Sequence, residues 1–401
     1  MQPKRAADSY SPLYFLASVG AGGLNVTFFM YLMFWVKHPG KPVPTFEDLV
    51  AAWGTGSTAL QAGIAVAVIG IAAMAFLNLK YLVWNLKAFS TFRKTDAFAK
   101  LKASNAETTI LAMPLALAMA VNGLFIVGLV FVPGLWSIVE YLFPAAMIAF
   151  FLIGVQALMY IGDFLGRVLT KGGVFDVTAH NSFAQLLPAF ALSMVAVGFS
   201  APAAMSGNGV VVATSLVLST FFGTASIIYG AVALVTAFNS MLHYGTAKES
   251  APTLLIIIPL VTVLGIMFLR QFHGLHTTFD AHMAAGETLV FLARLLTIQV
   301  VFLGLGLTVL ARQGYWKDFV FGNGTSPGSY ALVCPGVALS VMLHFFINKG
   351  LVASGVMDKF SLGFWALSTV ALVLQFAMIA LVLRLNRQHF GLTVATAVPA
   401  E

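Results

Sequence analysis

Few side chains in this sequence could do chemistry, and the most notable ones fall inside or at the ends of long apolar stretches. Arg294 lies within such a stretch, where an ionisable group is costly and is a functional candidate by default. Lys349 closes another stretch and could attract anions, while His344, about one turn earlier, could make an activity depend on pH. Glu107 and Asn181 lie near the starts of two further stretches, where they could add polarity at the mouth of a pathway.

Each of these residues also has a structural interpretation. Arg294 could pair with a neighbouring helix, with an interface, or with Glu287, two turns earlier on the same face, if both side chains are extended. Lys349 could snorkel at a helix end, and His344 could be a satisfied residue of the core. The two polar residues at the stretch starts could cap helix N-termini. Glu140 is expected to be a packed or interfacial residue rather than a proton carrier.

Three histidines fall in a segment that is expected to be a loop: His273, His276 and His282, with Asp280 nearby. A His-x-x-His pair can bind a metal, but the sequence offers no second strong pair of ligands, so no metal site is expected. The sequence contains no phosphate-binding loop and no Ser-His-Asp arrangement in a credible context. We therefore expect no catalytic residues and no cofactor, and we expect that the chain is not an enzyme.

The composition explains why the candidates are few. Of the 401 residues, 60% are apolar and 9% are charged, whereas a soluble domain has about 25% charged residues. Several apolar runs reach about eighteen residues, the length that marks a membrane-spanning helix. The sequence therefore predicts an all-α integral membrane protein, which excludes soluble enzymes and nucleic-acid readers.

The net charge of +7 is attributed to cytoplasmic loops rather than to nucleic acid. The single cysteine, Cys334, excludes an intrachain disulfide.

Ten apolar segments are predicted to cross the membrane. They form one ten-helix transmembrane domain, residues 12–386, between an N-terminal tail (1–11) and a C-terminal tail (387–401). Fifteen Lys and Arg residues fall on the side of the termini and five on the other side, which places both termini in the cytoplasm. The basic loop predicted at 80–102 could contact anionic lipid headgroups. The predicted segments are 12–36, 57–79, 108–132, 134–162, 180–203, 210–242, 251–270, 284–311, 329–348 and 361–384.

A proline recurs in the first half of the third, fifth, seventh and ninth segments. The spacings of 74, 71 and 76 residues indicate a repeated two-helix hairpin. A proline inside a helix frees a backbone carbonyl, which is tolerated in a membrane only where it is buried in protein or faces a wet cavity. The odd-numbered helices are therefore expected to be inner helices, kinked around a common axis. The predicted kink residues are Pro114, Pro188, Pro259 and Pro335, with Gly22 and Gly23, next to Gly20, in the first helix.

This pattern resembles the tellurite-resistance/C4-dicarboxylate transporter family, which includes the plant slow-type anion channels. Local stretches support the resemblance, each of them weakly: the aromatic and Gly-rich run at 14–23, the polar start and proline kink at 105–114, and the segments at 181–188 and 256–259. The resemblance implies ten helices in five hairpins with a quasi-fivefold arrangement around a central pore. It also implies transport of a small anion, the cell (inner) membrane as location, and a homotrimer with one pore per protomer.

One position departs from the family. A phenylalanine that precedes the ninth-helix proline closes the pore of the anion channels, and Cys334 stands at that place here. The pore is then either more open or closed by another residue, with Phe345 and Phe346 about three turns further along the same helix. The predicted constriction consists of the residues that precede the four prolines: Met113, Leu187, Ile258 and Cys334.

A second function stays open at this point. The membrane-anchor subunit of a respiratory redox complex, which handles quinol without its own cofactor, is similarly apolar and many-helical. The near-periodic prolines argue against it, because a quinol site needs no fivefold pore. Chloride, sulfite, tellurite and small dicarboxylates all fit the resemblance, and so do both a channel and a proton-coupled carrier.

Overall fold

The computed structural model describes residues 7–172, 175–179, 182–281 and 283–390. Within these ranges the fold is all-α and contains no strand. Ten of the described helices are long and apolar enough to cross a membrane, which confirms the number predicted from the sequence. The chain is therefore a multi-pass membrane protein.

Twelve α-helices lie in the described part of the chain. The short helices α2 and α4 lie between membrane spans, and each of the other ten belongs to one span. The helices are α1 (Phe15–Trp35), α2 (Phe46–Thr55), α3 (Thr58–Phe92), α4 (Asp96–Lys102), α5 (Ala112–Phe131), α6 (Leu135–Lys171), α7 (Leu187–Met205), α8 (Gly209–Tyr244), α9 (Ile257–Phe279), α10 (Ala285–Arg312), α11 (Val333–Phe345) and α12 (Leu362–Phe390).

Several helices continue beyond the apolar segments that predicted them. Lys80 and Lys87, which belong to the predicted basic loop, lie on α3. His273 and His276, expected in a loop, lie on α9, and α12 runs past the boundary predicted at residue 386. The physical reason is that hydropathy marks the part of a helix in hydrocarbon, whereas the backbone hydrogen bonds continue into the polar interface.

The ten spans alternate between inner and outer positions. In their most apolar windows the odd-numbered spans are 83, 67, 94, 67 and 89% buried, whereas the even-numbered spans are 33, 28, 33, 17 and 22% buried. The even-numbered helices therefore turn most of their surface away from the protein. This alternation agrees with the prediction that the odd-numbered spans are the inner ones.

The inner helices contact one another in a closed order. Helix α1 contacts α5, α5 contacts α7, α7 contacts α9, α9 contacts α11, and α11 contacts α1 again. We call these five helices the inner ring. The fivefold symmetry of the ring and a pore through it stay predictions from the resemblance.

Every inner span begins with a short 3₁₀ helix that passes directly into its α-helix. In four of the spans the repeated proline is the second or third residue of the α-helix, where its missing N–H would have no α-helical partner. The expectation that the carbonyl of Ala184 is freed is wrong, because it accepts the N–H of Leu187, and the kinks at the four prolines stay predictions. The 3₁₀ helices are Pro12–Tyr14, Asn105–Leu111, Phe183–Leu186, Lys248–Ile256 and Pro327–Leu332.

Serine caps strengthen the internal repeat. Ser11, Ser104, Ser182 and Ser326 each precede a 3₁₀ helix, and each hydroxyl accepts the N–H of the residue two positions later, at 3.2–3.3 Å. Ala247 stands at the equivalent place in the fourth inner span. Four of the five repeats therefore share a start signal that the proline spacing alone does not reveal.

The glycines predicted as kinks in the first helix have another role. Helix α1 is uninterrupted from Phe15 to Trp35. A Cβ atom on Gly23 would lie 2.7 Å from Cγ1 of Val337 on α11, and one on Gly22 would lie 2.6 Å from Cγ of Met119 on α5. The glycines therefore let α1 approach its two neighbours in the inner ring closely, and a kink at these residues stays a prediction.

We predict that Gly23→Ala lowers the thermal unfolding temperature of the purified chain. The added methyl must displace the β-branched Val337, and overpacking of this kind costs about 1–3 kcal/mol. The matched control is Gly304→Ala on α10, where no atom lies within 4 Å of the new Cβ, so the substitution is neutral or gains up to about 1 kcal/mol. Equal unfolding temperatures for the two variants would contradict the close approach.

A cationic vestibule as candidate functional site

A cavity of about 520 Å³ opens where α1 and α11 end, on the side of the loops that follow the odd-numbered spans. We call it the vestibule. Its lining combines apolar side chains with three lysines. The lining residues are Met33, Phe34, Val36, Lys37, His38, Pro39, Pro42, Asn348, Lys349, Val352, Ala353 and Lys359.

The chain shapes the vestibule by ending two inner helices in different ways. After Trp35 the backbone becomes extended at Val36, and Pro39 and Pro42 keep the following segment from continuing as a helix. Helix α11 instead widens into a π-helical stretch, Phe346–Val352, which contains Lys349. Such wide turns are rare and occur frequently at functional sites.

Three lysines from three separate elements meet at this cavity. Lys37 follows α1, Lys349 belongs to the π-helical stretch, and Lys359 lies in the loop before α12. Among the described residues, no carboxylate oxygen lies within 4.0 Å of their ammonium nitrogens. Lys41 on the same side differs, because its ammonium pairs with Asp48 at 2.7 Å. The vestibule therefore presents unneutralised positive charge.

The lysines are close enough to affect one another. Partial burial lowers the pKa of Lys359 below its ordinary value of 10.5, and the charges of Lys37 and Lys349 lower it further. A bound anion relieves this repulsion, because each negative charge favours the protonated ammonium. The vestibule is thus suited to attract anions and unsuited to hold cations.

Two further basic side chains lie below the vestibule along α9. His273 lies within electrostatic range of Lys349. Arg270 lies one turn deeper on the same helix and donates to the carbonyl of Val197 on α7, at 2.8 Å. Sequence reasoning placed Arg270 at the end of the seventh apolar segment, 251–270, and counted it only among the charges on that side of the membrane. The spacing of Ile266, Arg270 and His273 on one helical face is the signal that it missed.

Three of the four predicted constriction residues lie in one apolar core. Met113, Leu187 and Cys334 are buried within it. Their role as a constriction stays a prediction. Ile258 is buried in a separate apolar cluster with Leu310 of α10, on the outer side of the ring. Its membership in the same constriction stays a prediction, because the proline spacing indicates depth along a helix and leaves the facing direction of the side chain open.

An aromatic pair lies at the base of the vestibule. Phe34, a lining residue, meets Phe345 of α11 edge to face, with ring centroids 5.5 Å apart. Phe346 is partly exposed at the start of the π-helical stretch. The structure thus places an aromatic contact between α1 and α11 above the level of Cys334.

His344 does not line the vestibule. It is fully buried on the face of α11 that packs against α12, one turn after Ser340, whose hydroxyl donates to the carbonyl of Ala371 at 2.8 Å. The ring centroid of Tyr31 lies 6.1 Å from its own. Neither ring nitrogen has a hydrogen-bond partner among the described residues, so the interpretation as a satisfied core histidine is wrong, whereas the role of His344 in a pore stays a prediction.

Arg294 and Glu287 do not form the pair that their spacing allowed. Arg294 is exposed on α10, an outer helix, and makes no ion pair with any described carboxylate. The carboxylate of Glu287 instead accepts the N–H of Ala284 at 2.9 Å and caps the start of α10. Arg294 therefore lies outside the inner ring and apart from the vestibule.

Glu107 lies at the opposite end of the inner ring from the vestibule. It is buried and forms ion pairs with Arg167 of α6 and, at 3.4 Å, with Lys102 of α4. Ser104 caps this span, so the capping role considered for Glu107 is wrong. Its charge is neutralised by its partners. Asn181, the other predicted mouth residue, lies outside the described residues.

The remaining acidic and histidine candidates have structural positions. Glu140 accepts the hydroxyl of Ser206 at 2.6 Å and the N–H of Gly207 at 2.7 Å, which holds the turn between α7 and α8. Asp280 ends α9 in the left-handed conformation, with φ of 55°. Across the described ranges no group of three or more metal-ligating side chains is present, and His282 lies outside those ranges.

Searches for related proteins return no match: neither a family model nor a curated protein is similar to this chain. The site is therefore interpreted from its own geometry and charge.

We predict that anion binding at the vestibule weakens as the pH rises, and does so below the pH at which an ordinary lysine loses its proton. The charged form of Lys359 is the protonated form, and its pKa is lowered, so its charge disappears earlier on the alkaline side. Stabilisation of the purified chain by sulfate, measured as a shift in unfolding temperature between pH 7 and 10.5, reports this binding. In the Lys359→Arg variant the guanidinium stays charged, so the decline in stabilisation by sulfate moves to higher pH. Identical pH profiles for the two proteins would contradict the prediction.

Proposed function

We propose that this chain moves small anions across the membrane, through the vestibule and along the interior of the inner ring. Its ten apolar helices are typical of a membrane transporter or channel in general. The observation that carries the anion assignment is the vestibule, where Lys37, Lys349 and Lys359 converge without a carboxylate within 4.0 Å in the described chain. A cleft lined by one sign of charge concentrates ions of the opposite sign.

The arrangement of charge along the protein supports the movement of anions from the vestibule into the inner ring. The buried carboxylate of Glu107 is paired with two cations, whereas Arg270 has no carboxylate within 4.0 Å among the described residues. An anion that leaves the vestibule therefore meets further positive charge one helical turn below His273 and no free negative charge there. Conduction needs sites that are strong enough to attract an ion and weak enough to release it.

The resemblance to the tellurite-resistance/dicarboxylate transporter family belongs to the same proposal. The alternation of inner and outer spans, the closed contact order of the inner ring and the serine-capped repeats support it. We propose a cell (inner) membrane protein with both termini in the cytoplasm, so that the vestibule opens on the opposite face. We further propose a homotrimer in which each protomer has its own pathway.

The test is anion flux in proteoliposomes that contain only the purified chain. Chloride, nitrate, sulfite and malate are screened with and without a pH gradient. Rapid flux that ignores the pH gradient indicates a channel, and flux that requires the gradient indicates a carrier. Absence of flux for every anion, together with a co-purifying soluble redox partner, would reject transport in favour of the membrane-anchor alternative.

We predict that Lys349→Gln with Lys359→Gln lowers anion flux at low ionic strength by about tenfold, because local anion concentration at a charged cleft follows its potential. The difference shrinks at high salt, where exposed charges are screened. Lys41→Gln is the matched control: it removes one lysine from the same side, but one that Asp48 already neutralises. A loss of flux in the control equal to that in the double variant would show that the vestibule has no special role.

We predict that Cys334→Phe reduces flux strongly while Cys334→Ala does not. Cys334 is buried in the first turn of the inner helix α11, and we expect an aromatic side chain there to add volume to the ring interior. Flux is measured in proteoliposomes after gel filtration has shown that both variants are folded. Unchanged flux in a folded Cys334→Phe protein removes this residue from the pathway.

A further inference from the structure

Arg270 lies on an inner helix, at the end of the apolar segment 251–270. Helix α9 continues for nine residues beyond it to Phe279, which is about 13 Å along the helix axis. Burial of a guanidinium is costly, so side chains of this kind in membrane proteins generally mark an ion or substrate pathway, or a buried pair. A pair is not present here, because no carboxylate oxygen of the described residues lies within 4.0 Å of Arg270.

The neighbours of α9 define the direction in which Arg270 points. Phe268 packs against Phe291 of α10, on the outer side. Gln271 donates to Ser219 of α8 at 2.8 Å. Arg270 itself lies on a different face, and its hydrogen bond to α7 places that face toward the neighbour of α9 within the inner ring.

This face of α9 forms a stripe that opens toward the vestibule. Val263, Ile266 and Arg270 are partly exposed, and His273 at the end of the stripe is exposed. Their spacing of three, four and three residues keeps them on one side of a helix. The stripe ends at His273, which lies within electrostatic range of the vestibule residue Lys349. The stripe therefore ends near a lysine that lines the vestibule.

One hydrogen bond holds the guanidinium of Arg270 in place and leaves its other N–H donors available to a ligand. The guanidinium has five N–H donors in a planar arrangement. One of its nitrogens donates to the carbonyl of Val197, and no other hydrogen bond of Arg270 is formed with the described residues. A guanidinium fixed on one side offers two parallel donors on the other, which match the two oxygens of a carboxylate or a planar oxyanion.

We infer that Arg270 forms an anion-binding site inside the inner ring that prefers carboxylates and planar oxyanions over spherical halides. The inference rests on the proposed transport function and narrows its substrate class. A halide accepts from the same donors but cannot use two of them in parallel geometry. Geometry rather than charge alone then selects the ion at this depth, after the lysines of the vestibule have collected anions of every shape.

The test compares monovalent anions, so that charge stays constant while shape varies. Flux of formate, chloride and bromide is measured in proteoliposomes for the unchanged chain and for Arg270→Lys and Arg270→Gln. We expect the formate-to-chloride ratio to fall about tenfold in both variants, because each loses the paired donors, while the bromide-to-chloride ratio stays constant. Arg294→Gln is the matched control: it removes an exposed membrane arginine from the outer helix α10 and leaves both ratios unchanged.

A second measurement separates the site from transport. At equal ionic strength, formate is expected to raise the unfolding temperature of the purified chain more than chloride or bromide does, and Arg270→Lys is expected to lose this difference. Flux with unchanged ratios in the Arg270 variants overturns the site and leaves transport standing. Formate-specific stabilisation that depends on Arg270, without flux of any anion, supports the site and rejects the proposed transport. Equal stabilisation of the unchanged chain by all three anions overturns the site even if the variants do not fold.

Discussion

The structure depends on the need to satisfy every backbone polar group away from water. In hydrocarbon an unpaired N–H or C=O costs several kcal/mol, and the inner helices meet this need at their starts by a repeated device. A serine hydroxyl accepts a free N–H, a 3₁₀ helix follows, and a proline without an N–H stands in the first turn of the α-helix, as in the stretch from Ser326 to Pro335. With their starts satisfied internally, five helices can be buried on nearly all sides while the five outer helices cover them.

Ion pairs neutralise charged side chains on both sides of the protein. The buried carboxylate of Glu107 is matched by Arg167 and Lys102 at one end of the ring, and Asp48 matches Lys41 on the other side. Lys37, Lys349 and Lys359 differ from these paired cations, because no described carboxylate oxygen lies within 4.0 Å of them and all three line one cavity. The cations that line the vestibule and the stripe below it lie on the path that an ion would take between solvent and the ring interior.

The sequence predicts the spans well and the facing directions poorly. Long apolar runs identify the ten spans, because length and apolarity are sufficient physical conditions for a membrane helix. The regularly spaced prolines indicate which of these spans are the inner ones. These patterns do not show that His344 faces α12 or that Ile258 faces α10, since these directions follow from packing between helices. Arg270 was missed because a hydropathy criterion ends a segment at its first charge, although a helix does not end there. The lysines of the vestibule come from distant parts of the chain, and only the closed contact of α1 with α11 brings them together.

The 3₁₀ starts of the inner helices have a mechanical consequence. A 3₁₀ helix rises about 2.0 Å and turns about 120° per residue, whereas an α-helix rises about 1.5 Å and turns about 100°. Each residue that passed from one form to the other would therefore move the rest of its helix by about 0.5 Å along the axis and rotate it by about 20°. The seven residues Asn105–Leu111 and the six residues Pro327–Leu332 precede α5 and α11 directly, so a conversion of one of these residues to α-helical form would shift and rotate the whole of the following helix by these amounts.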